Sequence, residues 1–261
     1  MSLDRTLVQI RERSFLDVLD LALVVLRRRP LALGLTAFLG IAPWALLNGL
    51  LTSGTGDARP ALMLLLILLE APLATAPLTI VLGGLMFGAR PSARQVVRTL
   101  ARQAPLLLLY QGVIRGGLLL TVVFAWVVPA KLAFLNEVIL LERGRMSKVL
   151  SRTSDLTTDR GGELFAQWIV QFLFGGMFVL AFWLALDNAL DIFHNRLAWE
   201  EPTWENLLGP WPILGLWMVV AFFGVVRFLT YIDQRIRLEG WEVELRLRAV
   251  GAAMREESEP W

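Results

Sequence analysis

Residues 31–52, LALGLTAFLGIAPWALLNGLLT, carry no charged side chain from end to end. The hydrocarbon core of a bilayer is about 30 Å thick and takes roughly 20 helical residues to cross. Over that distance only a helix or a closed barrel satisfies its own backbone hydrogen bonds. The segment therefore reads as a membrane-crossing helix. Four more apolar stretches follow, at 61–88, 104–142, 163–186 and 210–232. The fold class expected is an all-α membrane protein.

Composition agrees. Of 261 residues 56% are hydrophobic, and the mean hydropathy is +0.59, so no large extramembrane domain fits. Three regions are expected: an interfacial amphipathic helix within 1–30, a transmembrane domain over 31–232, and a helical amphipathic tail over 233–261. The net charge of +2 says little, but the positive residues are nearly all Arg, with Lys131 and Lys148 the only lysines. Cysteine is absent and His194 is the only histidine, which excludes disulfides, thiolate nucleophiles and clusters of His ligands. No cofactor, metal or nucleic-acid partner is expected.

The first 30 residues carry Asp4, Glu12, Asp17 and Asp20 where a cleavable signal would need an unbroken apolar core. Phe15, Val18, Leu19, Ala22, Leu23 and Leu26 recur at helical spacing and end at Arg27-Arg28-Arg29-Pro30. That pattern predicts a helix lying in the membrane interface.

Loops on the cytoplasmic side are enriched in Lys and Arg. Arg-rich segments precede residue 31, lie at 90–102 (Arg90, Arg94, Arg98, Arg102), lie at 143–160 (Arg143, Arg145, Lys148, Arg152, Arg160), and follow residue 232. The loops at 53–60 and 187–209 hold only Arg59 and Arg196. The N-terminus and C-terminus are thus expected inside. The run 104–142 has basic ends on one side, and as one helix it would be about 58 Å long, so two crossings are expected, 104–122 and 126–142. That makes six spans, the fourth of which (Pro129, Lys131, Asn136, Glu137) has re-entry as its alternative. Trp44, Trp126, Trp199, Trp204 and Trp211 fall near the expected outer boundary and Trp168 near the inner one, while Trp183 and Trp217 are expected to pack inside.

Charges within spans are costly and mark candidate sites. Glu70 and Arg115 are expected at similar depth on antiparallel neighbours, as an ion pair. With Lys131 and Glu137 they form a candidate intramembrane polar cluster, extended by Gln111, Asn136, Gln167 and Gln171. This interior is either a solute path or interhelical glue. Pro72 and Pro77 break the ladder of the second span. Gly84 with Gly88, and Gly112 with Gly116, have the spacing of close helix approach.

Arg90, Arg94, Arg98 and Arg102 recur every four residues on one helix face, opposite Val97 and Leu100. With Arg143, Arg145 and Arg152 they are candidates for binding anionic headgroups or a partner. Asp155, Asp159 and Glu163 have spacing that a metal would accept, but interleaved Arg152 and Arg160 favour a solvated face. In the tail, Asp233 with Arg237, Glu242 with Arg246, and Glu244 with Arg248 are spaced i,i+4, and Leu238, Trp241 and Leu245 form an apolar stripe. Asp233, Arg237 and Trp241 are the candidate platform residues there.

Two segments carry a family resemblance: Leu141-Glu142, Leu150-Ser151-Arg152-Thr153-Ser154 and Leu156-Thr157 within 134–165, and Tyr231, Asp233, Arg235, Arg237, Glu239, Gly240 and Trp241 within 231–248. They resemble the cytoplasmic elbow and terminal helix of a group of bacterial six-span proteins that includes the membrane domain of some glycerophosphodiester phosphodiesterases. The catalytic barrel of those enzymes has no counterpart here. The resemblance implies an integral domain of the bacterial cytoplasmic membrane without phosphodiesterase activity. The expected role is a non-enzymatic platform for anionic lipids and for a protein partner or second copy. A transporter or channel component is the alternative, and a membrane-embedded enzyme ranks third.

Overall fold

A computed structural model describes residues 14–86, 91–121, 124, 127–142, 146–158, 160–193 and 209–239, and no strand occurs among them. Helix α1 (Phe15–Arg28) opens on a capping box. Ser14 Oγ accepts from the Asp17 amide at 3.3 Å, and the Asp17 carboxylate accepts from the Ser14 amide at 3.1 Å. Its Val18, Ala22 and Val25 are buried, whereas Leu23 of the expected apolar face is exposed. The helix packs mainly on α10, the last helix.

Helix α2 (Pro30–Leu51) starts at a proline, which costs nothing at a first-turn position. It forms a hairpin with α3 (Arg59–Met86) through a turn and a short 3₁₀ segment, Gly56–Ala58. Gly54 and Gly56 have φ of 89° and 54°, the left-handed region that glycine enters without strain. The α2–α3 interface depends on Gly40: a Cβ there would sit 2.2 Å from the Ala74 carbonyl oxygen.

Helix α4 (Ala93–Leu107) begins with a second capping box, between Ser92 and Gln95. It runs on through a π-helical stretch, Leu108–Arg115, into α5 (Gly116–Leu120). Two short helices follow, α6 (Val128–Lys131) and α7 (Leu135–Leu140), then α8 (Val149–Thr157), α9 (Gly161–Phe193) and α10 (Pro210–Glu239).

Among the described residues, four helical stretches have the length and apolar character to cross a bilayer: Pro30–Leu51, Gly56–Met86, Gly161–Leu190 and Pro210–Leu238. In α2 and α9 only 11% of the apolar window is buried within the chain. Exposed side chains such as Phe38, Leu39, Phe172 and Met177 are what a lipid-facing helix presents.

Among the described residues, no helix of bilayer length covers the expected crossing at 126–142. Helices α6 and α7 hold four and six residues, which rise about 6 and 9 Å, far short of a bilayer. From Phe134 to Leu140 every residue is buried. The segment is an internal plug touching α3, α4 and α8. Non-helical backbone at membrane depth is tolerated only where protein surrounds it, and the breaks flanking α7 meet that condition. The expected crossing at 104–122 is likewise not one regular helix, because the π-helical stretch occupies its middle.

The main core gathers around this plug, with Phe134, Leu135, Val138 and Ile139 against Leu78, Leu82, Val225 and Tyr231. A smaller cluster joins Met63, Ile67 and Ala74 to Trp217. Trp183 and Trp217 are buried, as packing residues should be, while Trp126, Trp199 and Trp204 lie outside the described residues. Glycine spacing misled in one place: a Cβ on Gly112 would meet nothing, and one on Gly116 only ordinary contacts.

Candidate functional site

Three polar assemblies lie inside the helical body. The first joins α2 and α3. Asn48 Nδ2 donates to Glu70 Oε2 at 2.8 Å, with Asn48 fully buried and Glu70 nearly so. The expected Glu70–Arg115 pair does not form among the described residues. Arg115 instead donates from Nη1 to the Leu68 carbonyl at 3.4 Å. Position explains this choice. Pro72 has no amide proton, so the Leu68 carbonyl four residues earlier loses its helical donor and stays open to another.

The second assembly surrounds α7. Gln111 Nε2 donates to Asn136 Oδ1 at 2.8 Å, and Asn136 Nδ2 donates to the Pro72 carbonyl at 2.6 Å. Beside it Arg227 Nε donates to Glu137 Oε1 at 3.0 Å, and Arg227 Nη2 donates to Thr75 Oγ1 at 3.1 Å. Glu137 has no exposed surface, while the Arg227 side chain keeps 22% of its own. Lys131 takes no part. It is exposed beside Gly161, and its hydrogen bonds among the described residues are made by its backbone, the amide donating to the Val127 carbonyl and the carbonyl accepting from the Thr157 hydroxyl. The four candidate charges therefore do not form one cluster. Glu137 pairs with Arg227, a residue the sequence reading passed over. Its signal was present in α10, where Arg227, Thr230, Tyr231 and Gln234 fall at i, i+3, i+4 and i+7 on one face of an apolar helix.

The third assembly ties α8, α9 and α10 to the end of α7. Arg152 grips Glu142 with two donors, Nε to Oε2 at 2.8 Å and Nη2 to Oε1 at 3.3 Å. The hydroxyl of fully buried Tyr231 donates to Glu142 Oε1 at 2.7 Å, and Arg235 lies over the Tyr231 ring at 5.9 Å from its centroid. Arg160 meets Glu163, Gln234 and Asp233, and Arg237 Nε donates to Asp233 Oδ2 at 2.8 Å, the expected i,i+4 pair. Glu163 is thus held by Arg160 and Gln167. The elbow around Glu142 and the last helix, α10, are in direct contact. Arg152 is committed to this knot instead of being displayed for a headgroup.

On α4, Arg94, Arg98 and Arg102 are exposed. None of the three has an ion-pair partner among the described residues. The inward face of that helix is Val96 and Leu107; Val97, expected opposite the arginines, is exposed with them. Arg90, Arg143, Arg145, Asp159 and Trp241, with the pairs Glu242–Arg246 and Glu244–Arg248, lie outside the described residues.

Among the described residues, cavities open into the body. One of about 290 Å³, mostly apolar in its lining but more polar than the next, is walled by α3, the π-helical stretch, residues 132–134, α9 and α10, and both Arg115 and Arg227 face it, with Thr75, Gln111, Gln167, Gln171 and Thr230. An apolar one of about 590 Å³ lies between α1, α2, α9 and α10. They share Val219 and Phe223 as a common wall. No family model, curated protein or solved structure matches this chain.

Proposed function

We propose that the protein is a non-enzymatic integral protein of the bacterial cytoplasmic membrane that acts as a platform for anionic lipids and a protein partner. One observation carries the reading: the exposed stripe of Arg94, Arg98 and Arg102 on α4, which no acidic side chain neutralises among the described residues. Elsewhere Arg152, Arg160, Arg227 and Arg237 are each matched to a carboxylate. An unmatched juxtamembrane arginine gains about 1 kcal/mol from an anionic leaflet.

In this reading both termini are cytoplasmic. The segment 104–142 enters and returns on one side, which preserves the parity that the charge pattern demands. The resemblance to the membrane domain of glycerophosphodiester phosphodiesterases, carried by the sequence segments alone, belongs to the same proposal. A transporter or channel component is the second reading, and the polar cavity beside Arg115 favours it.

The test is lipid retention. The protein is extracted in a mild detergent, exchanged into nanodiscs of mixed phosphatidylglycerol and phosphatidylcholine, and the lipid around it quantified. Enrichment of phosphatidylglycerol that falls when Arg94, Arg98 and Arg102 are all changed to Gln supports the platform. Equal lipid composition around both proteins refutes it.

A further inference from the structure

The polar cavity is unbalanced in charge. Arg115 and Arg227 both face it. The carboxylate bonded to Arg227, Glu137, engages it through Nε alone, and its own surface is fully covered. Glu163, which touches the wall through Gln167, is already paired with Arg160. Arg227 Nη1 has no hydrogen-bond partner among the described residues. Arg115 makes one long bond to a carbonyl and meets no carboxylate there. Glu70 is turned to Asn48 and is not part of the wall. Two guanidinium groups against one carboxylate leave one positive charge in excess, in surroundings where an uncompensated charge is expensive.

The rest of the wall adds one side chain with its donors uncommitted among the described residues, Gln171 of α9. The Gln167 amide already donates to Glu163 and the Thr230 hydroxyl to the Val226 carbonyl. A guanidinium presents paired N–H groups that match the oxygens of a phosphate. The rim includes exposed Leu68 and Phe172, so the cavity opens beside apolar surface of the kind that meets acyl chains.

We propose that this cavity is a binding site for a singly charged phosphate group, held by Arg115 and Arg227. The phosphate is supplied by a lipid headgroup or by a soluble phosphate. The site goes beyond the platform reading and does not rest on the α4 stripe, whose arginines are not in its wall.

The experiment is a saturable shift in thermal unfolding of the full chain in dodecyl maltoside. Sodium phosphate is compared with sodium chloride at equal ionic strength, and dioctanoyl phosphatidylglycerol with dioctanoylglycerol, which lacks the phosphate. A shift with phosphatidylglycerol alone assigns the site to a lipid headgroup; a shift with inorganic phosphate as well assigns it to free phosphate. In either case Arg115→Gln weakens the apparent affinity about tenfold or more, the loss of a charge-assisted hydrogen bond. Arg98→Gln leaves it unchanged, which separates this site from the stripe. Gln171→Leu, at a half-exposed wall position, is read the same way if Arg115→Gln does not give folded protein. No shift with either phosphate probe, or an equal shift in the wall variants, overturns the proposal.

Discussion

Arg227 of α10 donates from Nε to Oε1 of Glu137 on α7 at 3.0 Å, and this pair fixes the buried plug to the last long helix. Removing one partner of a buried pair strands the other charge and costs about 3–5 kcal/mol. Glu137→Gln and Arg227→Gln are each expected to destabilise the protein by about that much in detergent unfolding. The double variant should lose much less than the sum, because neither charge is then left alone. Additive losses would show that the pair does not couple α7 to α10.

The polar contact between α2 and α3 makes a sharper distinction. Asn48 and Glu70 are bonded at 2.8 Å, whereas Glu70 and Arg115 are not paired. A double-mutant cycle of Asn48→Leu with Glu70→Leu, which removes both donor and acceptor, should therefore give a coupling of about 0.6 kcal/mol and at most about 1.7, as interhelical hydrogen bonds in membranes do. The cycle of Glu70→Gln with Arg115→Met should give none. The reverse ranking would restore the pairing expected from depth alone.

Gly40 and Gly112 should respond oppositely to the same change. A Cβ on Gly40 strikes the Ala74 carbonyl, a backbone atom that cannot rotate away, so Gly40→Ala is expected to cost about 1–3 kcal/mol. Gly112 faces open space, and alanine there should leave stability unchanged or raise it by about the helix-propensity difference, 0.8–1 kcal/mol. Thermal midpoints of the two variants in one detergent decide it.

The Tyr231 hydroxyl holds Glu142 together with Arg152. Tyr231→Phe keeps the buried ring and its packing on Phe134 but deletes a bond to a charged acceptor, an expected loss of about 1.5–3 kcal/mol. Glu142→Gln keeps one acceptor oxygen but removes the negative charge that Tyr231 and Arg152 share, and should destabilise more. Urea unfolding of the two variants in detergent gives the comparison.

Much of this architecture was legible in the chain. The long apolar runs at 31–52, 61–88, 163–186 and 210–232 correspond to the four bilayer-length helices, because length and hydropathy act locally and need no knowledge of neighbours. The same measures failed at 126–142. A segment surrounded by protein is as apolar as one surrounded by lipid, so composition cannot separate an internal plug from a crossing. Pro129, Asn136 and Glu137 were the local signs of a break. Depth along a helix brought Glu70 and Arg115 to one level but carried no information about azimuth, and azimuth turned Glu70 toward Asn48. Arg227 lies inside the apolar run at 210–232 and belonged with the candidate charges within spans, but it was passed over. Its polar neighbours at helical spacing show that it points inward.

The chain contains no cysteine, so single reporters can be introduced on a silent background. The most direct measurement is the reaction of Ser53→Cys, Arg98→Cys and Ser151→Cys with a membrane-impermeant maleimide, in right-side-out and inverted vesicles. All three native positions are exposed, in the α2–α3 turn, on α4 and on α8. Labelling of positions 98 and 151 only in inverted vesicles, and of position 53 only in right-side-out ones, is the predicted result. Positions 98 and 151 reacting from opposite sides would contradict it, because the segment between them would then cross the membrane instead of returning.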